Sequence, residues 1–488
     1  MIVVRCSEDN YIYDIHSLVK AFYPAEEVKA FREGEKELNS DDGLPEFYVY
    51  MGVNEIKIQV FDRSNDITSN REMTSGAVNI SDRVSYKNEL KRCLYSILSE
   101  VTGKQLPWGS LTGIRPTKIA MNKISEGMSD EDVLTYMKDT YFCSDAKAIL
   151  AVNIAHYEKR ILSEIDYDNG YSLYIGIPFC PSTCLYCSFT SYPIAMYEKI
   201  VDEYLGALKK EIDYVAENMS DKVLDTVYIG GGTPTTLTAE QLEELISYLK
   251  SKINLENIKE FTVEAGRADS ITEQKLEVLY RMGVTRISVN PQTMNEETLR
   301  IIGRKATAAA TVEAYKLARK VGFDNINMDL IVGLPNESID DVSDTLKRVK
   351  ELAPDSITVH SLAIKRASRL AQVIDEMGYE TINNSDDIMT LAQDVASDLG
   401  MSPYYLYRQK NMSGNFENVG YATEGKAGIY NILIMEEVQS IVALGAGTVT
   451  KRVYGDGRIE RCDNVKDVTL YISKIDEMID RKRELFKD

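Results

Sequence analysis

The sequence predicts an α/β protein whose central region is a parallel β-sheet built from strand–helix units. Two observations support this. Between residues 171 and 360, six short apolar runs alternate with amphipathic stretches of helical length. Polar and glycine-rich motifs follow directly after these runs. Parallel strands need long crossover connections, which are usually right-handed helices. The sheet is therefore doubly wound or closed into a barrel, and in both folds ligands collect at the carboxyl ends of the strands.

The overall composition is that of an ordinary water-soluble globular chain. Its 488 residues are 44% hydrophobic and 27% charged, which is enough for two to four domains with ample core. The formal charge of −20 disfavours binding to nucleic-acid phosphates and to anionic membrane surfaces. No apolar run reaches the length of a membrane span, and no signal peptide is recognised. We therefore expect a cytoplasmic protein with neither a nucleic-acid partner nor a membrane span.

Residues 1–165 are predicted to form a separate α+β domain, which ends at a turn-rich boundary. The expected elements are a strand at 1–4, a β-hairpin from 46–51 and 55–61, an amphipathic helix at 86–101 and further helices up to 165. The segment 106–117 is rich in turn residues and contains the only tryptophan, Trp108. We expect Trp108 to be a buried anchor and not a ligand contact.

Residues 166–378 are predicted to be the central domain. The predicted strands are 173–177, 226–229, 260–264, 286–289, 326–332 and 356–360, and the predicted helices lie near 196–217, 239–252, 273–282, 308–320 and 339–352. Residues 379–488 are predicted to form a third, mainly helical domain. It ends in a charged amphipathic helix at 465–486.

Three cysteines, Cys180, Cys184 and Cys187, follow the first predicted strand with the spacing C-x3-C-x2-C. Three closely spaced thiolates can hold three irons of a cubane iron–sulfur cluster, which leaves the fourth iron without a protein ligand. A structural zinc site would need a fourth ligand, but the other four cysteines and the three histidines are scattered. A disulfide framework is typical of small secreted chains. The triplet therefore favours an open iron–sulfur centre.

Other strand ends carry residues that suit a polar ligand. Gly230-Gly-Gly-Thr-Pro-Thr235 follows the second strand, where glycines allow the backbone to approach a ligand, but it lacks the lysine of a phosphate loop. Glu264 ends the third strand and could bind an ammonium group or ribose, or form a salt bridge with Arg267. Asp329 lies among apolar residues of the fifth strand and needs a polar partner, such as a pair of ribose hydroxyls.

Two further polar residues belong to this group. Gln292 follows the fourth strand, as Glu264 ends the third. Arg304 carries a guanidinium group that suits a carboxylate, although an isolated arginine on a helix is more often a surface charge. Because these motifs all lie near strand ends, we expect them to meet at one edge of the sheet.

These motifs stand in a characteristic order between about residues 171 and 360. The chain carries Tyr-Ile-Gly-Ile-Pro-Phe-Cys-x3-Cys-x2-Cys, Gly-Gly-Gly-Thr-Pro-Thr, Glu264, Gln292, Arg304 and Met-Asp-Leu-Ile-Val-Gly-Leu-Pro. This order resembles that of the radical S-adenosylmethionine (SAM) enzymes known as oxygen-independent coproporphyrinogen III oxidases. The flanking runs Leu-Pro-Trp-Gly-Ser-Leu-Thr-Gly-Ile-Arg-Pro-Thr-Lys and Ala-Leu-Gly-Ala-Gly-Thr resemble the HemZ branch of that family.

The resemblance implies a fold and a set of cofactor ligands. The implied fold is a partial (β/α)6 TIM-like barrel, and the implied cofactors are two SAM molecules and a 4Fe-4S cluster held by Cys180, Cys184 and Cys187. The residues implied to contact the cluster-bound SAM are Tyr174, Gly231 and Glu264. Those implied to serve a second SAM or its surroundings are Tyr186, Gly232, Thr233, Gln292, Arg304 and Asp329.

The resemblance also implies a reaction and its partners. The reaction is the oxidative decarboxylation of coproporphyrinogen III to protoporphyrinogen IX in heme biosynthesis. A SAM-derived radical takes a hydrogen atom from a propionate side chain, and loss of CO₂ and one electron leaves a vinyl group. The implied partners are a tetrapyrrole substrate, a reduced flavodoxin- or ferredoxin-type electron donor and an electron acceptor that the sequence does not identify.

Two positions depart from the pattern of the oxidases. Phe189 stands where they have a further cysteine, and Gly176 stands where they have a histidine. Both positions are tied to turnover in that family. One alternative is therefore a HemW-like heme chaperone, although its His-Asn-x2-Tyr-Trp tail motif is replaced here by Gly428-Ile-Tyr-Asn-Ile-Leu-Ile. Others are a radical SAM methyltransferase and a heme carrier with His360 as an axial ligand.

Aromatic and basic residues in the C-terminal segment could contact a tetrapyrrole by stacking and by pairing with carboxylates. The candidates are Tyr404, Tyr405, Tyr407 and Arg408, which we expect near Asn431. The alternative is that they are ordinary core and surface residues.

Overall fold

The computed structural model describes residues 1–487 apart from 63–68, 114, 365–367, 371, 373–375, 377, 379–380 and 410–411. Ile114 of the first flanking motif and residue 379, where the predicted third domain begins, lie outside the described residues. The chain divides into two compact units. Unit 1 comprises Met1–Ala155 and Tyr407–Glu417, and unit 2 comprises His156–Leu406 and Asn418–Asp488. The three-domain division stays a prediction.

Unit 1 contains a five-stranded mixed sheet in the spatial order β2-β1-β3-β4-β5. Its strands are β1 (Ile2–Cys6), β2 (Val28–Arg32), β3 (Glu46–Met51), β4 (Ile56–Asp62) and β5 (Ser69–Thr74). The antiparallel pairing of β3 with β4 confirms the predicted hairpin. The helices up to residue 162 are α1 (Ile12–Phe22), α2 (Arg83–Thr102), α3 (Thr117–Ser125), α4 (Asp130–Tyr141) and α5 (Asp145–Leu162).

Packing in unit 1 follows the predicted apolar pattern. The amphipathic helix predicted at 86–101 lies within α2, and four of its apolar residues are buried in the core: Leu90, Leu94, Ile97 and Leu98. Trp108 is fully buried, as predicted for an anchor. Its Nε1 donates to Glu417 Oε2 at 2.7 Å, while Lys147 Nζ lies 2.6 Å from Glu417 Oε1. The buried carboxylate is therefore paired, which a charge in the interior requires.

Unit 2 contains the predicted parallel array at the centre of an eleven-stranded sheet. The strands up to residue 361 are β6 (Gly170–Ile177), β7 (Phe179–Cys180), β8 (Tyr192–Pro193), β9 (Val223–Gly231), β10 (Glu260–Glu264), β11 (Arg286–Ser288), β12 (Ile326–Val332) and β13 (Ser356–Ser361). Six of them pair parallel in the order β13-β12-β11-β10-β9-β6. The prediction of a (β/α)6 sheet is confirmed.

Most of the helices between these strands begin and end close to the predicted positions, whereas the short helix at 296–301 was not predicted. They are α6 (Ile194–Tyr197), α7 (Val201–Asn218), α8 (Ala239–Lys252), α9 (Glu273–Arg281), α10 (Glu296–Ile301), α11 (Ala308–Val321) and α12 (Ile339–Leu352). Helices α8 and α12 start at capping boxes, formed by Thr238 with Gln241 and by Ser338 with Asp341. The helix predicted at 196–217 is divided into α6, a 3-10 turn and α7.

The C-terminal segment contains the predicted helices together with five strands. Its elements are α13 (Asp386–Asp398), β14 (Ser402–Tyr407), β15 (Asn418–Ala422), α14 (Ile429–Glu436), β16 (Ser440–Leu444), β17 (Val449–Val453), β18 (Ile459–Asp463), α15 (Val468–Ser473) and α16 (Ile475–Leu485). Strands β14 and β15 extend the sheet beyond β13, and β16, β17 and β18 extend it beyond β6. The last predicted helix is two helices that meet at Lys474. Among the helices of the described residues, none has the length and apolarity to cross a bilayer.

Candidate metal centre

The three predicted metal ligands lie on the loop that follows β6. Cys180 is part of β7, which pairs with β8, and Cys187 donates its N–H to Cys184 O at 3.2 Å. Cys180 and Cys184 are buried, Cys187 is half-buried, and all three thiols are free of disulfide bonds. Leu185 N donates to Ile302 O at 2.9 Å, which fixes the far side of the loop. The loop is thus held at the carboxyl edge of β6.

Basic and hydroxyl groups surround the sulfur atoms. Arg267 Nη1 lies 3.6 Å from Cys184 Sγ, and Cys180 Sγ lies 3.4 Å from Thr233 Oγ1. Burial raises the pKa of the Cys180 thiol to about 11 in the metal-free protein, and a bound metal ion would remove that proton. The guanidinium of Arg267 also pairs with Asp269 at 2.8 Å. The alternative that Glu264 forms the salt bridge with Arg267 is therefore wrong.

The donor set fits a 4Fe-4S cluster better than a single metal ion. Within the part of the chain that the structure describes, no group of three or more His, Cys, Asp or Glu side chains converges on one ion position. A closed zinc site needs such convergence of four ligands. In a cubane cluster each thiolate binds a different iron atom, so the three sulfurs need not converge.

The glycine-rich turn after β9 packs directly on the cysteine loop. Gly232 N donates to Ile177 O at 2.8 Å, and Thr233 N donates to Phe179 O at 2.7 Å. A Cβ atom on Gly232 would lie 2.6 Å from Phe179 O and 3.0 Å from Cys180 Sγ. Gly231 has φ +111°, which side chains of L-residues rarely adopt. Close packing against the cysteine loop thus requires glycine here, and contact of Gly231 and Gly232 with SAM stays a prediction.

A stack of three tyrosine rings lies beside Glu264. The Tyr174 and Tyr228 centroids are 6.0 Å apart, and those of Tyr228 and Tyr430 are 4.6 Å apart. Tyr228 OH donates to Glu264 Oε1 at 2.6 Å. Burial, reinforced by the charge of Asp329, raises the pKa of Glu264 to about 7. Tyr174 is among the residues expected from the sequence, whereas Tyr228 is not, although it pairs directly with Tyr174 in the register of β6 and β9.

Asp329 has protein partners for its carboxylate. Asn327 Nδ2 donates to Asp329 Oδ1 at 2.7 Å, and His360 Nε2 on β13 lies 3.8 Å from the same oxygen. Burial alone would raise the pKa of Asp329, but the hydrogen bonds and charge of these partners hold it below its usual value. Asp329 is therefore ionised at neutral pH and satisfied without a ligand.

Arg304 and Gln292 occupy loops at the same edge of the sheet. Arg304 lies in the loop after α10, so the alternative of a surface arginine on a helix is wrong. Its Nη1 donates to Asn290 O at 2.6 Å and its Nη2 to Tyr186 OH at 3.3 Å. Gln292 has φ +66° and accepts a hydrogen bond at its backbone oxygen from Ile331 N of β12 at 2.8 Å. Arg304 and Tyr186 thus form one contact pair, while Gln292 is held by backbone bonds.

The tyrosine and arginine residues of the C-terminal segment are mostly buried. Tyr404 is fully buried in unit 2, where its hydroxyl accepts a bond from Asn431 Nδ2 at 3.3 Å, and Tyr405 is also buried. Tyr407 and Arg408 belong to unit 1. The buried guanidinium of Arg408 donates to Leu111 O at 2.6 Å and to Asn415 O at 3.0 Å. These contacts favour the alternative that the residues are part of the core.

The two positions that depart from the oxidases differ in their surroundings. A Cβ atom on Gly176 would lie 2.7 Å from Thr448 Cγ2 and 3.3 Å from Leu444 O. A histidine at 176 would therefore require the Thr448 side chain to move. Phe189, in contrast, is 71% exposed.

Comparison with known proteins is consistent with this geometry. Residues 174–349 match the model of the radical SAM superfamily. The chain is 40% identical over 404 residues to the oxygen-independent coproporphyrinogen-III oxidase-like protein HemZ of Bacillus subtilis, which covers 81% of this chain and 80% of that protein. It is 35% identical over 195 residues to the heme chaperone HemW of the same organism, 40% of this chain and 51% of that protein.

A solved structure supports the fold. The coproporphyrinogen III oxidase HemN from Escherichia coli, described as a radical SAM enzyme, superposes with a TM-score of 0.51 at 21% sequence identity. The match covers 67% of this chain and 73% of that chain.

Proposed function

Since the chain belongs to the radical SAM superfamily, and within it to the family of oxygen-independent coproporphyrinogen III oxidase-like HemZ proteins, we propose that it is a radical SAM oxidoreductase. The proposed reaction converts coproporphyrinogen III to protoporphyrinogen IX by oxidative decarboxylation, in heme biosynthesis. The observation that carries the proposal is the loop at the carboxyl edge of β6, which carries three thiols that are not in disulfide bonds. It packs on a glycine turn that has no room for a Cβ atom at Gly232.

The radical SAM superfamily uses a 4Fe-4S cluster together with SAM. When bound, these groups supply the one-electron chemistry that removes a hydrogen atom from the substrate. Cys180, Cys184 and Cys187 would hold the cluster. Arg267, 3.6 Å from Cys184 Sγ, would offset the negative charge of the thiolates.

The remaining site residues are proposed to bind and orient SAM. Glu264 and Asp329 supply carboxylates that suit an ammonium group and ribose hydroxyls, and Tyr228 fixes the position of Glu264 by its hydrogen bond. The residues proposed for the cluster-bound SAM are Tyr174, Gly231 and Glu264. Those proposed for a second SAM or its surroundings are Tyr186, Gly232, Thr233, Gln292, Arg304 and Asp329.

The proposed reaction needs further partners. Each of the two propionates that react loses one hydrogen atom, then CO₂ and one electron, and becomes a vinyl group. A reduced flavodoxin- or ferredoxin-type protein would donate the electron that starts each round. A separate electron acceptor would take the electron that is released together with CO₂.

A heme chaperone is the second candidate. The observation in its favour is the pair of departures from the oxidases: Thr448 closes the space beside Gly176, and Phe189 replaces a cysteine. The partial similarity to HemW supports the same alternative. A chaperone would bind heme and release no CO₂.

Anaerobic turnover tests the two functions. Reconstituted protein is incubated with coproporphyrinogen III, SAM and a reductant, and the tetrapyrroles are separated by chromatography. We expect CO₂ and vinyl products from the wild type but not from a Cys184→Ala variant, which should also lack the cluster absorbance. A Cys462→Ala variant is the matched control and should keep both. Heme binding without CO₂ would favour the chaperone, and a methylated product would favour a methyltransferase.

A further inference from the structure

Unit 1 contains a cavity that the proposed function does not use. Its volume is about 300 Å³, which is at the lower end of the range for small-molecule sites. The lining residues come from three segments of unit 1: the turn before α1, the end of β3, and the first turn of α2 with the residues just before it. The cavity therefore has the size for a small ligand.

Hydrogen bonds and a ring contact hold the three segments together. Tyr86 OH on α2 donates to Gly52 O after β3 at 2.9 Å. Val78 N, before α2, donates to Asn54 O at 3.1 Å. The ring centroids of Tyr11 and Tyr86 are 5.9 Å apart, with an angle of 27° between the ring planes. The segments thus form one continuous wall around the cavity.

The inner part of this wall is apolar. Tyr86 and Met51 are buried members of the hydrophobic core, and Tyr11 packs against the same core. Ile80 adds an aliphatic group that is 39% exposed. Aromatic rings favour offset-stacked and edge-to-face contacts with one another, so a tyrosine pair can receive a further ring. The wall therefore suits a ligand with an aromatic side chain.

Two opposite charges on the rim of the cavity are unpaired. Neither the Glu8 carboxylate nor the Arg83 guanidinium forms an ion pair or a hydrogen bond within the described part of the chain. The two other carboxylates of these segments already have partners. Asp9 lies 3.7 Å from Arg32, and Asp82 caps the first turn of α2 by accepting a backbone N–H at 3.1 Å. One negative and one positive charge thus remain for a ligand.

The position of Arg83 adds to the preference for an anion beside it. Arg83 is the first residue of α2, a helix of 20 residues whose first turn holds no acidic residue after the capping Asp82. The amino end of a helix carries a partial positive charge, so a cation there is unfavourable and an anion is favourable. A ligand carboxylate would offset the charge of Arg83 and that of the helix end.

We propose that this cavity binds an aromatic α-amino acid. The carboxylate of the ligand pairs with Arg83, its ammonium group pairs with Glu8, and its side chain packs against Tyr11 and Tyr86. An α-amino acid has both charged groups on the carbon atom that carries the side chain, which matches a rim of two opposite charges above an apolar wall. The inference goes beyond the proposed function, because no residue that lines the cavity belongs to the candidate metal centre.

Calorimetry of the full-length protein with three related ligands tests the site. L-Phenylalanine carries both charges, 3-phenylpropanoate lacks the ammonium group, and 2-phenylethylamine lacks the carboxylate. We expect the wild type to bind L-phenylalanine about tenfold more tightly than either analogue, because each analogue loses one charge-assisted hydrogen bond. If the wild type does not bind L-phenylalanine, or binds all three ligands equally, the inference is wrong.

Two variants assign the charged contacts. Arg83→Gln should bind L-phenylalanine about tenfold more weakly and 2-phenylethylamine unchanged, because the amine has no carboxylate that could lose its partner. Glu8→Gln should weaken L-phenylalanine by a similar factor and leave 3-phenylpropanoate unchanged. Arg71→Gln is the matched control, because Arg71 is an exposed arginine of unit 1 that lies on β5 outside the cavity. Equal weakening in this control would show a general charge effect and overturn the assignment.

Tyr11→Asn tests the apolar wall. Tyr11 has φ +67°, and asparagine adopts this left-handed conformation more readily than most residues, so the variant removes the ring and keeps the backbone. The affinity for L-phenylalanine should fall about tenfold, while the circular dichroism spectrum should match that of the wild type. Unchanged affinity would show that the ring pair does not contact the ligand and would overturn the proposal.

Discussion

Replacing Glu264 with glutamine should stabilise the metal-free protein at neutral pH. Burial and the nearby charge of Asp329 raise the pKa of Glu264 from 4.5 to about 7. Each tenfold change in a proton equilibrium is worth about 1.4 kcal/mol, so the ionised carboxylate costs the folded state about 3 kcal/mol above pH 7. Glutamine has a similar shape and no charge, and therefore avoids this cost.

The sign of the effect defines a pH window. A carboxyl group with a raised pKa in the folded state holds its proton more tightly there than in the unfolded chain. The stability of the wild type relative to Glu264→Gln therefore falls as the pH rises from about 4.5, and levels off above about 7. Between about pH 5.5 and pH 8 the difference should grow by about 2 kcal/mol.

Urea unfolding of the two proteins across this window measures the difference. Circular dichroism follows the unfolding of the whole chain, most of which belongs to unit 2. If both proteins show the same pH dependence by circular dichroism, Glu264 does not have a raised pKa.

Three further predictions concern other parts of unit 2. Lys482→Met should lower the free energy of unfolding by about 3–5 kcal/mol in thermal denaturation. The reason is that the buried Glu211 carboxylate, 2.6 Å from Lys482 Nζ, then lacks its cation. The double variant Lys482→Met/Glu211→Gln should recover most of the lost stability. Gly176→Ala should lower the free energy of unfolding by about 1–3 kcal/mol, because the added methyl group contacts Thr448. Thr448→Ser should restore this stability in the double variant, and no recovery would show that the contact is not the cause. Asp329→Asn should weaken SAM binding about tenfold in calorimetry while leaving the cluster intact; unchanged affinity would remove Asp329 from the site.

The parallel strands and most of their helices were predictable because their signals are local. Strand β12 is a buried run of apolar residues, and α8 starts at a capping box that can be read from Thr238 and Gln241. The added strands lack such signals. Strands β17 and β18 carry charged residues and are only partly buried, as is typical of loops. Strand β16 is apolar, but nothing in its local sequence indicates that it pairs with β6.

The same distinction between local signals and long-range pairing applies to the residues of the candidate site. The cysteines and the glycine turn are contiguous motifs, so their spacing alone predicts chemistry. The tyrosine stack is different, because Tyr228 and Tyr430 are about 200 residues apart and meet only through the sheet and α14. One partner of Arg408, Leu111, also comes from a distant segment, so the sequence could not show that the guanidinium is bonded there. The local sequence pattern thus predicts single elements, whereas long-range pairing decides which side chains remain available to bind a ligand.

The place of β16 beside β6 has a consequence for synthesis of the chain on the ribosome. Strand β6 and the cysteine loop emerge early, but the strand that covers the second edge of β6 emerges only about 260 residues later. At typical elongation rates of about 5–20 residues per second this interval lasts about 13–50 seconds. During that time β6 presents unpaired N–H and C=O groups to other nascent chains. A chain that stops before residue 440 would hold all three cluster ligands and still expose this edge permanently.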